Sequence, residues 1–181
     1  ALAFVDITGE TKVNSAANVN AANGAYSLLA QQIINATAES QGLAVAFGGA
    51  IGVAVARLNI KPVIAASVSG GTINAKNLVV KALFNVMNDA DYTETGKMES
   101  NAYAGAGGGV AGGSGANAEI TVGGKATAEV SNANLTLTED ALVLSKANGS
   151  LTGNGAGLSV AGGAAVGGVV VKINNKFETI A

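Results

Sequence analysis

The 181-residue chain contains no histidine, no cysteine and no tryptophan, has one proline, and is only 4% aromatic. Each absence narrows what it can do. Without histidine it lacks the usual general base near neutral pH and the commonest metal ligand. Without cysteine it has no thiol nucleophile and no disulfide framework. Together these absences exclude a Ser–His–Asp triad, thiol catalysis and ordinary zinc sites. Carboxylates, Lys, Tyr, Ser and Thr remain, and nothing gathers them, so the chain is expected not to be an enzyme and to carry no cofactor. Charged residues make up 12% of the chain, about half the usual share. The ten Lys and Arg residues are scattered and the net charge is −2, which speaks against a nucleic-acid partner. The uncharged runs Gly42–Ala56 and Gly155–Val171 fall short of the roughly 20 residues of a spanning helix, so no transmembrane segment is expected. No signal peptide stands at Ala1, which fits a processed chain or an excised segment.

What is abundant is small. Glycine accounts for 26 residues, and the 49% apolar fraction is mostly Ala and Val. A core of such side chains must be thin, which favours stacked sheets over helices packed roughly 8–10 Å apart.

An internal repeat organises the chain. The segment Gly42–Ala66 (GLAVAFGGAIGVAVARLNIKPVIAA) aligns without gaps on Gly157–Ala181 (GLSVAGGAAVGGVVVKINNKFETIA), with eleven of 25 positions identical. A weaker copy starts near Ala102, and each copy is followed by a polar stretch and a short apolar strand, Asn77–Ala82 and Ala141–Ala147. The repeat boundaries fall at about 1–50, 42–101, 102–156 and 157–181.

From Gly42 to Ala56 the larger residues are odd-numbered (Leu43, Val45, Phe47, Ile51, Val53, Val55) and every even position is Gly or Ala. Period 2 means strand, with a bend near Gly48-Gly49. The bulky face is expected to form the core and the bare face to meet another chain. Further short strands are expected at Lys12–Val19, Ser27–Ile34, Val63–Val68, Leu78–Leu83, Glu119–Val122, Ala126–Val130, Leu135–Thr138, Leu142–Leu144 and Val169–Ile173. Turn signals stand at Asn23-Gly24, Gly70-Gly71, Gly123-Gly124 and Asn148-Gly149. The expected fold is an all-β parallel β-helix, a β-solenoid with roughly 20 residues per coil and about eight or nine coils. Neither end resembles a polar cap, which suits part of a longer array or a subunit stacking end to end.

The segments GLAVAFGGAIGVAVARLNIK and GLSVAGGAAVGGVVVKINNK, with the following NAKNLVVKA strand, resemble repeats of large bacterial filamentous adhesins. The likeness is to leukotoxin-type filamentous adhesins and haemagglutinin-like proteins of two-partner secretion. It covers the chain from about Gly42 onward and is weaker over Ala1–Gln41. It implies a right-handed parallel β-helix, export to the cell surface, and a role in adhesion, biofilm or host contact. No catalytic residues carry over.

Four features have both a functional and a plain structural reading. Asp89, Asp91, Glu94 and Glu99 lie in the polar stretch Asn85–Asn101, which suits a calcium- or receptor-binding loop or a solvated excursion. Asn35, Asn134 and Asn148 head N-x-S/T sequons, as glycosylation sites or chance occurrences. Arg57, Lys61, Lys172 and Lys176 recur at equal places in the repeat, as a basic row for an anionic surface or as soluble strand ends. The spacings Gly48/Gly52 and Gly163/Gly167 suit a membrane glycine zipper or a close sheet contact. The leading function is a structural and adhesive module of a secreted filamentous adhesin, with like chains or a cell-surface receptor as partners. The alternatives are a self-assembling fibre subunit, a pore-forming toxin and a polysaccharide-acting enzyme on a β-helix.

Overall fold

In the computed structural model, which describes residues 1–87, 90–91 and 96–181, all regular structure among the described residues is β-strand. The strands fall into levels that repeat one route. The first level is β1 (Leu2–Ser15), β2 (Val19–Gln32) and β3 (Ala36–Ala46). The second is β4 (Gly49–Val68), β5 (Thr72–Phe84), a small antiparallel pair β6 (Val86–Met87) and β7 (Ala90–Asp91), and β8 (Lys97–Gly108). The third is β9 (Ala111–Val122), β10 (Lys125–Val130), β11 (Asn134–Leu137), β12 (Ala141–Ala147) and β13 (Ser150–Ala161). β14 (Ala164–Asn175) and β15 (Glu178–Ile180) follow.

Three parallel sheets result, an arrangement compatible with a β-solenoid. The first holds β1, β4, β9, β10, β14 and β15, the second β2, β5, β11 and β12, and the third β3, β8 and β13. Two steps relate one level to the next. In the short step Leu2 pairs with Val55, Lys97 with Ser150 and Ala111 with Ala164. Side chains mark the same step, as Asn59 donates to Asp6 and Asn154 to Asn101, each at 2.9 Å. In the long step Gly49 pairs with Ala111 and Asn134 with Thr72. Both steps far exceed a coil of roughly 20 residues, so that coil, and with it a count of eight or nine, does not describe this chain. The reason is strand length: β4 alone runs 20 residues, as many as an entire short coil. One long step and one short step together make up the sequence repeat, which places Gly42, Ala104 and Gly157 in one column.

The longer step has a definite location. Gln32 pairs with Phe84, close to the short step, but Ala36 pairs with Met98 at the long one. The extra residues of the long step thus fall between Phe84 and Lys97, at the corner between second and third sheets. The corner between first and second sheets is tight: Gly71 has φ +85°, and a Cβ there would overlap the Ala17 carbonyl. One level on, Asn132 takes φ 53°, a region that Asn tolerates better than most residues. The Asn23-Gly24 signal marks a bulge inside β2 rather than a turn, and the expected strand Lys12–Val19 is divided by the corner after Ser15.

The expectation for the two faces of Gly42–Ala56 is reversed. Ala50, Gly52, Ala54 and Ala56 are buried, while Leu43, Phe47 and Ile51 are 80%, 98% and 77% exposed. Parity is the cause. β4 continues without a bulge as Leu58, Ile60, Ile64, Ala66 and Val68, all even-numbered and buried. A strand that does not slip cannot change faces, so the large even residues drive Ile51 and Val53 outward. The interior is a wedge. Where β4 and β9 face the third sheet, Gly, Ala and Ser fill the gap, and one level on Val169 and Val171 fill it against Gly155 and Gly153. Where the first sheet faces the second, Leu58, Ile60 and Ile64 meet Ile73, Leu78 and Val80 in one core cluster.

Candidate functional site

The narrow end of the wedge is a two-sheet blade. The chain bends at Phe47-Gly48, near the expected Gly48-Gly49, and folds β3 against β4. Gly52 lies against the carbonyls of both Gly105 and Gly42, and Gly112 against those of Val160 and Ala106, so β4 and β9 each sit between two levels of the third sheet. No side chain fits there, and the backbones approach more closely than the usual ~10 Å between stacked sheets. Small hydroxyls staple the gap: Ser100 Oγ donates to the Ala56 carbonyl at 2.9 Å, and Ser159 Oγ to that of Val166 at 2.7 Å. The Gly/Ala face is therefore spent inside the molecule and is not available for contact with another chain. The same geometry removes the zipper reading, since Gly52 and Gly167 lie in strands.

Both outer faces of the blade are apolar and corrugated. On the third sheet, Leu43 and Leu158 flank Gly105, and Val45 and Val160 flank Gly107. On the first sheet, Ile51 and Val166 flank Gly113. Bulky rows thus stand two strand spacings apart, roughly 10 Å, with a furrow between them floored by Gly105 and Gly107 as far as Tyr103 on the third sheet and by Gly113 on the first. Apolar side chains contiguous over two faces exceed what scattered surface hydrophobics explain and mark an interaction surface. Sequence reasoning found these residues but assigned them to the core.

The charged residues do not make a basic row. Arg57, Glu119 and Lys172 form one column on the first sheet. Arg57 Nε stands 3.3 Å and Lys172 Nζ 3.9 Å from the Glu119 carboxylate, so charge alternates. Arg57 also lies over the Phe4 ring at 5.7 Å. Lys61 and Lys176 are two levels apart, with Gly123 in the level between. Glu119 was not singled out by sequence reasoning, because its place between the two cations follows only from the long step to Arg57 and the short step to Lys172 together.

Of the acidic stretch, Asp89 and Glu94 lie outside the described residues, Asp91 is placed only as part of β7, and Glu99 is half-buried in β8. Among the described residues no group of three or more potential metal ligands comes together. Of the sequon residues, Asn35 is exposed at the β2–β3 corner and Asn134 is exposed at the start of β11. Asn148 is half-buried, and its Oδ1 accepts a hydrogen bond from Gly149 N at 2.8 Å. It lines a half-open pocket with Phe84, Met98, Leu151, Asn175 and Phe177, where the two phenylalanine rings stack 4.7 Å apart. At the β11–β12 break, Lys76 Nζ lies 2.8 Å from the Glu139 carboxylate, and Asn77 Nδ2 donates to it at 3.0 Å. The Lys76 contact foremost, and then Asn77, hold this carboxyl below its ordinary value. No described helix is long and apolar enough to cross a membrane. Comparison with protein-family models, with curated proteins and with solved structures finds no match to this chain.

Proposed function

We propose that the chain is a structural and adhesive module of a secreted, cell-surface filamentous adhesin. In this reading it winds as a right-handed β-solenoid of three coils and the start of a fourth, and it has no catalytic role. The observation that carries the reading is the register. Strands in all three sheets pair in parallel over most of their length, level upon level. Such a stack buries its inner face only by lying on its neighbours and so grows along one axis. Right-handedness follows from the chirality of parallel strands joined by crossovers. The resemblance of the Gly42–Lys61 and Gly157–Lys176 segments to filamentous adhesin repeats supplies the adhesive and extracellular part.

Electron microscopy and oriented diffraction of tandemly joined copies test the architecture. Rods that lengthen with copy number, with an axial repeat of ~4.8 Å, are expected; isotropic particles contradict it. Retention of chain-coated beads on cell monolayers tests the adhesive half, and retention equal to that of uncoated beads contradicts it.

A further inference from the structure

We propose that the blade is a lateral contact between copies of this chain, in which the outer first-sheet face of one copy seats on the outer third-sheet face of the next. The contact goes beyond the shaft reading and does not need it, because it runs across the stacking axis rather than along it.

Three observations select a second copy as occupant. First, both faces lack charge over Gly42–Ala56 and Gly155–Val171, so the partner must be apolar where it touches. Second, the corrugation has a fixed period of two strand spacings, and a partner that fills it must carry ridges at the same period. This chain carries them on both faces. Because β4 and β9 each lie between two third-sheet levels, a sideways translation needs a slide of about half a strand spacing, ~2.4 Å, along the axis. In one direction the slide drops the Ile51 ridge into the furrow of Gly105 and Gly107, and seats the Leu158 ridge of the neighbour over Gly113. In the other direction Ile51 meets Leu43, ridge on ridge.

Third, charge selects the same direction. Further along the strand from the contact of Gly52 with Gly105, Arg57 lies at the depth of Ser100, next to Glu99. The slide that fits the ridges brings Arg57 of one copy beside Glu99 of the next. The opposite slide brings Glu119 beside Glu99, acid on acid. The contact joins two different patches and does not close on itself, so it builds an open lateral array.

Sedimentation velocity across a concentration series, with electron microscopy of the products, tests this. Concentration-dependent growth that widens particles across the rod axis is expected. L43E/L158E, at two exposed positions, is expected to weaken association about tenfold or more. R57E and E99R are each expected to weaken self-association, and an equimolar mixture of the two is expected to regain it, because each restores the opposite pair for the other. A chain that stays monomeric at every concentration overturns the proposal. So does association that L43E/L158E leaves unchanged, or a mixture that recovers nothing. Uptake by phosphatidylcholine vesicles without self-association also overturns it, by making lipid the occupant. Lateral growth without rods would leave this contact standing and sink the shaft, and rods that never widen would do the reverse.

Discussion

Gly42 in β3 lies against the carbonyl group of Val53 in β4, so closely that a Cβ on Gly42 would overlap the carbonyl oxygen. Gly52 stands in the same relation to Gly105. Gly42→Val and Gly52→Val are therefore expected to destabilise the fold by about 1–3 kcal/mol or more, the cost of overpacking. The neighbouring changes Leu43→Ser and Ile51→Ser are expected to fall within about 0.5 kcal/mol. Urea unfolding followed by circular dichroism checks the contrast, and equal losses at bulky and bare positions contradict it.

A second relationship couples two positions across the blade. Ala102 and Ala116 are replaced one level on by Gly155 and Val169, and a Cβ on Gly155 would meet the Val169 side chain. Volume removed from the third sheet reappears on the first. Gly155→Ala is expected to destabilise the chain and Val169→Ala to relieve that loss, with a coupling of about 0.5–3 kcal/mol in a double-mutant cycle. Strictly additive effects contradict the compensation.

The all-β class, the strand period and the bend near Gly48-Gly49 were legible because each is written in neighbouring residues. Facing was not legible from Gly42–Ala56 alone. The residues that decide it, Leu58, Ile60 and Ile64, lie farther along the same strand, and carrying the parity through Val68 would have reversed the assignment. Level length was hidden for another reason. The repeat that relates Gly42 to Gly157 spans two levels of unequal step, and the extra residues between Phe84 and Lys97 lengthen only one of them. The Arg57–Glu119–Lys172 column followed from that register, so a sequence that showed four recurring cations could not show the acid between two of them.

Glu139 gives a pH signature. Lys76 and Asn77 hold its carboxyl below the ordinary 4.5. A depressed value in the fold means that the contribution is in place above the ordinary range and is lost as pH falls through the folded value. Carbon-13 NMR of the Glu139 carboxyl is expected to show a midpoint below the ordinary value, and Lys76→Met is expected to move it upward. An unchanged midpoint in that variant contradicts the assignment.

At β3 and β4 the blade is built with its small residues inside and its large ones outside. Because the chain has no cysteine, single thiols report on it directly. Leu43→Cys, Ile51→Cys, Ala54→Cys and Ala56→Cys should each be labelled by a small thiol reagent in dilute solution. Positions 43 and 51 are expected to react near the rate of the urea-unfolded chain, and positions 54 and 56, both 0% exposed, to be strongly protected. Protection at 43 and 51 together with fast labelling at 54 and 56 would contradict the structure.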